Sequence, residues 1–183
     1  MPSSPNGLHS TNSFRRDMNE EDEEWILSSL DIAFVQVLSA WARSTKDTAA
    51  YHAQTFFGAH VSVVRPNVVM YNALLAAWAN SSSSDSYHHA KTIVQRMWSN
   101  HNDIIEANIS TYNFLIQSLT KHPDVEYVCT RADAILNAFD RLPNDATWVA
   151  VIQVWSRRCD VTCNPKDAEK LAMFHRKRRI SPE

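Results

Sequence analysis

The stretch RPNVVMYNALLAAWA, residues 65–79, decides the fold predicted for this chain. Its large apolar residues fall at i, i+3, i+4 and i+7: Tyr71, Leu74, Leu75 and Trp78. This spacing predicts an amphipathic helix. The segment HHAKTIVQRM, residues 88–97, repeats the stripe with Ala90, Ile93, Val94 and Met97. The two segments together predict a helical hairpin.

The hairpin pattern recurs along the chain. The aromatic residues that open the first helices are spaced by 37, 41 and 36 residues: Phe34, Tyr71, Tyr112 and Trp148. Seven positions later, Trp41, Trp78, Leu119 and Trp155 keep these spacings and are predicted to be core residues. Small residues in the second helices follow at 37, 42 and 36 residues: Ala53, Ala90, Ala132 and Ala168. We therefore predict an all-α solenoid of about four helix-turn-helix repeats.

The repeats predict the domain boundaries. A helical repeat domain is expected at residues 25–180, with units at about 31–67, 68–108, 109–144 and 145–180. Residues 1–24 are expected to form a disordered tail, because residues 1–18 are rich in Ser, Asn and Pro. The acidic run at residues 19–24 would complement the positive end of the first helix. Polar connections are expected at residues 45–50, 80–86, 121–126 and 157–165.

The composition excludes several classes of protein. With Gly7 and Gly58 as the only glycines, the chain cannot form a glycine-rich phosphate loop or dinucleotide fingerprint. No apolar run reaches the roughly 18 to 20 residues of a membrane helix, so no membrane partner is expected. Cys159, Cys163 and His175 lack metal-ligand spacing. We expect no metal, no cofactor and no enzymatic activity.

The sequence gives little indication of the compartment. Three cysteines, an odd and sparse set, are typical of a reducing intracellular compartment. Residues 1–24 have no apolar core segment for a signal peptide, and Arg15 and Arg16 followed by acidic residues make no clear transit peptide.

The chain resembles the pentatricopeptide repeat family in the segments RPNVVMYNALLAAWA and NISTYNFLIQSL, residues 65–79 and 108–119. The resemblance covers roughly residues 25–178 and is strongest in the two middle units. It implies a right-handed superhelix whose concave groove holds single-stranded RNA, with about one base read per repeat. It also implies a mitochondrial or plastid protein in RNA processing, stability or translation, although a cytoplasmic location stays open.

The resemblance implies which residues would contact RNA. The residue after the opening aromatic and the last residue of the repeat would read the base, here Asn72 with Asn108 and Asn113 with Asn144. Two asparagines favour cytosine in this family, followed by uracil. The first and fourth units have Val35 and Val149 at the reading position, so unit one is left with Asn67.

Two further groups complete the predicted RNA-binding residues. Ile32 and Val69 would sandwich a base, whereas Ser110 and Ala146 depart from that pattern. The basic run of Arg176, Lys177, Arg178 and Arg179 would contact phosphates, or simply end a solvated helix.

Other interpretations remain open at this stage. Asn72 and Asn113 could simply cap or solvate helix starts, since Asn favours such positions. The repeats could bind a protein, as tetratricopeptide-like adaptors do, although no unit has the Gly typical of those repeats. The repeats also resemble the substrate-binding part of protein-only RNase P, and the chain would then be a non-catalytic fragment of such an enzyme.

Overall fold

The computed structural model of the chain describes residues 20–44, 46, 48–99, 105–138 and 143–180. These residues form eight α-helices and one 3₁₀ turn, and they contain no β-strand. The helices are α1 (Glu20–Ala42), α2 (Ala49–His60), α3 (Val68–Asn80), α4 (Ser86–Trp98), α5 (Ile109–Ser118), α6 (Val125–Asn137), α7 (Asp145–Thr162) and α8 (Pro165–Ile180). The 3₁₀ turn, Leu119–Lys121, directly follows α5. The all-α prediction is confirmed, and none of the described helices is long and apolar enough to cross a bilayer.

The helices form two layers. The first helices α1, α3, α5 and α7 pack side by side in chain order. The second helices α2, α4 and α6 each pack against two first helices, and α8 packs against α7. Each apolar stripe is thereby buried by its own partner and by the next hairpin, which is how a helical repeat protein forms its core. The right-handed twist and the number of repeats stay predictions.

Tryptophans on the first helices link successive hairpins. Trp78 is fully buried, and its indole Nε1 donates to Gln54 Oε1 of α2 at 2.8 Å. Trp155 is also buried, and its Nε1 donates to Asp133 Oδ1 of α6 at 3.1 Å. The prediction that these tryptophans are core residues is confirmed. Trp41 of α1 is only half-buried and packs edge to face on Phe56, with ring centres 5.2 Å apart.

The small residues of the second helices confirm the predicted alignment in three hairpins and contradict it in the fourth. Ala53, Ala90 and Ala132 are all 0% exposed. Ala168, however, is exposed, and Asp167 is the residue buried at the equivalent place on α8. The fourth hairpin is therefore shifted by one residue from the sequence alignment.

Hydrogen bonds from α7 explain why an aspartate is tolerated there. The carboxylate of Asp167 accepts a bond from Arg158 Nε at 2.9 Å and one from Thr162 Oγ1 at 2.8 Å. These bonds, that from Arg158 foremost, lower the pKa of the Asp167 carboxyl. A buried carboxylate that is paired and hydrogen-bonded in this way can replace a small apolar residue.

Two predicted boundaries differ from the structure. Helix α1 begins at Glu20, inside the predicted tail of residues 1–24, because acidic residues stabilise a helix N-terminus. The rest of that predicted tail, residues 1–19, lies outside the described residues. Helix α7 extends to Thr162, through most of the predicted connection at residues 157–165. It ends at Cys163, whose φ of 48° is the left-handed conformation common after a helix C-terminus.

Candidate functional site

Asparagine begins three of the first helices. Asn67 is the N-cap of α3, Asn108 that of α5 and Asn144 that of α7. Each side-chain oxygen accepts backbone N–H bonds of the first turn, which have no partner within the helix. The last residue of each of the first three predicted repeats is therefore the cap of the next first helix.

The structure brings together the two asparagines of each predicted reading pair. In the first pair, Asn72 Nδ2 donates to Asn108 Oδ1 at 3.1 Å. In the second pair, Asn113 Nδ2 donates to Asn144 Oδ1 at 3.3 Å. Asn72 and Asn113 lie inside α3 and α5, so they do not cap these helices, and the alternative that they only solvate the helix starts stays open. The partners of the first pair are 36 positions apart in the sequence and those of the second pair are 31 positions apart, and the two pairs are equivalent.

A buried threonine orients each pair. Thr111 Oγ1 donates to Asn72 Oδ1 at 2.8 Å, and Thr147 Oγ1 donates to Asn113 Oδ1 at 2.7 Å. Both threonines are 0% exposed. Sequence reasoning missed them, although the shared spacing Asn-x-x-Thr at the start of α5 and of α7 is a signal that could have identified them.

The bonds leave mainly donors available on each pair. Asn108 Oδ1 accepts from both Thr111 N and Asn72 Nδ2, which occupies its two lone pairs. Within the described residues, the Nδ2 groups of Asn108 and Asn144 donate to no protein atom. Since Asn108 and Asn144 are exposed, their amide N–H groups can meet acceptor atoms of a ligand.

Two depressions lie along the first-helix layer. One, of about 520 Å³, spans α1, α3 and α5 and is lined by Asn72 and Asn108. The other, of about 550 Å³, spans α3, α5, the 3₁₀ turn and α7. Asn80 lines both, so they form one continuous surface, which we name the first-helix groove.

The predicted base-sandwiching residues are exposed. Val69 lines the first-helix groove and is 54% exposed, and Ile32 of α1 is 58% exposed. Branched apolar side chains with this exposure on a first helix leave area for a flat ligand. Ser110 lines the groove at the position equivalent to Val69, and it supplies little apolar area there.

Cations follow the groove at one repeat position. Arg43, Lys121 and Arg157 line the groove and share their place in the hairpin with Asn80, at spacings of 37, 41 and 36 residues. The groove lining contains no Asp or Glu among the described residues. Although the whole chain has a net charge of −2, this surface is therefore locally positive. These three cations were not predicted from the sequence, because they are isolated from one another along the chain.

The predicted basic cluster lies at the end of α8: Arg176, Lys177, Arg178 and Arg179, all exposed. Arg178 forms a bidentate ion pair with Asp145, the residue after Asn144, and this bond lowers the pKa of the Asp145 carboxyl. The ammonium group of Lys177 lies 5.8 Å from the ring centre of Trp148. None of the four lines the groove depressions, so their contact with phosphates stays a prediction.

Comparison with known proteins identifies the repeats. The family model of the pentatricopeptide repeat domain matches residues 61–122, a range that contains α3, α4, α5 and the 3₁₀ turn. No curated protein and no solved structure matches the chain. The match contains the segment RPNVVMYNALLAAWA and the first reading pair, Asn72 and Asn108. The chain is therefore a helical-repeat protein whose residues 61–122 are similar to the pentatricopeptide repeat domain.

Proposed function

We propose that the first-helix groove binds a short segment of single-stranded RNA. The observation that supports this most is the repetition of one polar arrangement, in which an asparagine pair held by a buried threonine occurs at equivalent places in two successive hairpins. The first pair lines the first-helix groove, and the second pair lies at the equivalent place of the next hairpin. Repetition in successive hairpins suits a polymer with repeating units.

The donors of each pair favour cytosine. The Watson–Crick edge of cytosine presents two adjacent acceptors, O2 and N3, whereas uracil and guanine present an N–H at the ring nitrogen. Because the oxygen of Asn108 is occupied by Thr111 and Asn72, the pair offers N–H groups to these acceptors. Two such pairs would read two cytosines and give the protein modest sequence specificity.

The cations of the groove would bind the phosphates. Arg43, Lys121 and Arg157 recur at the hairpin spacing, so they would contact successive phosphates of a strand that follows the first helices. Such contacts add affinity without base information and make binding salt-dependent. The positive charge of the groove would attract a polyanion, although the net charge of the whole chain is −2.

We further propose that the protein binds RNA without cutting it and acts in the processing, stability or translation of organelle transcripts. The support is the resemblance to the pentatricopeptide repeat family and to the substrate-binding part of protein-only RNase P, in which a separate metallonuclease domain cuts the RNA.

Fluorescence anisotropy with labelled oligocytidine and oligoadenosine tests the base reading. We expect the parent protein to prefer oligocytidine. The double variant N72V/N113V should lose about 5- to 150-fold in affinity for oligocytidine per lost contact and should lose the preference. The variant N137V, an exposed asparagine on α6, is the matched control and should bind as the parent does. Circular dichroism establishes that each variant is folded.

The same assay at several salt concentrations tests the phosphate contacts. The variant R43Q/K121Q should lower the slope of log affinity against log salt by about 0.7 for each lost contact. The variant K91Q/R96Q removes the same charge from exposed residues of α4 and should leave the slope unchanged. If the parent binds neither oligonucleotide, the RNA proposal is wrong and the protein-binding alternative becomes the better account.

A further inference from the structure

One residue of the first-helix groove is aromatic at a position where the other hairpins have a small or polar residue. Phe114 of α5 occupies the hairpin position that Gln36, Ala73 and Ala150 occupy in the other hairpins. Among the described residues, it is the only aromatic one that lines the depression beside Asn72 and Asn108. Because the other three hairpins have no aromatic residue at this position, the repeat itself does not require one.

The ring of Phe114 is available to a ligand. The side chain is half-buried and packs with its inner part against the core. Within the described residues, the ring makes no stacking or edge contact with another aromatic ring. Part of the Phe114 side chain therefore borders the groove.

The neighbouring Ser110 shows what the ring could supply. Ser110 and Phe114 are four residues apart on α5, so they lie on the same helix face, and both line the depression. At the position equivalent to Val69, α5 has Ser110 in place of an aliphatic residue. A base held between α3 and α5 would thus have Val69 on one side and no apolar group from Ser110 on the other.

We propose that Phe114 is the stacking platform for the base that Asn72 and Asn108 read. The platform rests on the proposed RNA-binding function and extends it, because it gives the first reading pair a nucleobase contact that the second pair lacks. The position equivalent to Phe114 in the next hairpin is Ala150, which has no ring. The ligand is a planar pyrimidine within a single strand, and the first pair is the stronger of the two base sites.

Substitution of Phe114 in the anisotropy assay tests this platform. The variant F114L keeps most of the packing volume and removes the flat ring, so affinity for oligocytidine should fall by about fivefold or more. F114Y keeps the ring and should bind within about twofold of the parent. F56L is the matched control, because Phe56 is half-buried on α2 outside the groove.

An abasic scan separates stacking from a structural role. One nucleotide at a time is replaced by an abasic residue in the oligocytidine, and the parent is compared with F114L. The penalty of F114L should vanish at one position of the strand, where no base is left to stack. A penalty that persists at every position, or F114L binding as tightly as the parent, overturns the platform while RNA binding itself stands. If the parent binds no RNA, the platform and the proposed function are both wrong.

Discussion

Replacing Thr111 by Val should separate the structural and recognition roles of the first asparagine pair. Valine has nearly the shape of threonine, and Thr111 is 0% exposed, so the change removes a hydroxyl from a closed site. That hydroxyl donates to Asn72 Oδ1 at 2.8 Å and accepts from the backbone N–H of Asn108 at 3.1 Å. Two hydrogen bonds at about 0.5–1.5 kcal/mol each give an expected loss of about 1–3 kcal/mol in the free energy of unfolding.

Urea unfolding followed by far-ultraviolet circular dichroism measures this loss. Thr130→Val is the matched control, because Thr130 is exposed and its hydroxyl donates to the carbonyl of Glu126, four residues earlier in the same helix. The control should change stability by less than about 0.5 kcal/mol. In a double-mutant cycle with Asn72→Ala, the combined loss should be smaller than the sum by about 0.5–1.5 kcal/mol, since both changes break the same bond.

Two results would refute this reasoning. If T111V destabilises the protein no more than T130V, the threonine does not hold the pair. If the losses from T111V and N72A are additive, the two side chains do not interact in solution. For RNA binding, T111V should weaken the cytosine preference, because Asn72 Oδ1 is no longer occupied and the amide is free to turn.

Three other predictions concern packing, cysteine reactivity and pH. Ala90→Leu should cost about 1–3 kcal/mol of stability through overpacking, whereas Ala168→Leu should cost less than about 0.5 kcal/mol, and equal losses in urea unfolding would contradict the shifted fourth hairpin. Burial raises the pKa of the Cys129 thiol to about 11, so a thiol reagent should label exposed Cys163 in the native protein and Cys129 only after unfolding, as peptide mass spectrometry can show. The pKa of Asp167 is lowered from 3.8 by its bonds to α7, so its contribution to stability is present above that value and disappears as the pH falls through the lower native value. Acid unfolding of Asp167→Asn should lack this component, and an unchanged acid profile would count against the pair.

The helices could be predicted because their signals are local and periodic, whereas the asparagine pairs were predicted from the family resemblance. The apolar stripe at Tyr71, Leu74 and Trp78 predicts a helix without knowledge of what it packs against. The family resemblance implies that the last residue of a repeat acts together with the residue after its opening aromatic, and the hairpin alignment locates both residues in this sequence. The structure then places Asn72 and Asn108 within hydrogen-bond distance.

The features that could not be predicted depend on contacts between distant residues. The shared Asn-x-x-Thr spacing marks Thr111 as equivalent to Thr147, but its bond to Asn72, 39 positions earlier, follows only from the packing of α3 against α5. The polar end of α7 resembles a connection in sequence, yet it is helical up to Thr162. Arg157 in this part of α7 donates to backbone carbonyls that follow α5, one of them His122 O at 3.1 Å. Ala168 matched the small residues of the other hairpins, but the bonds of Asp167 set the actual register.

The asparagine at the end of each repeat combines helix capping with the proposed base reading. Asn108 must supply an oxygen to the first turn of α5, which restricts this position mainly to Asn, Asp, Ser and Thr. Among these residues, only Asn retains N–H donors on the side chain once its oxygen is bound to the backbone. Aspartate would keep the cap and replace those donors by an acceptor oxygen, whereas alanine would remove both. Substitution to Asp and to Ala therefore distinguishes recognition from capping at a position where the two functions share one side chain.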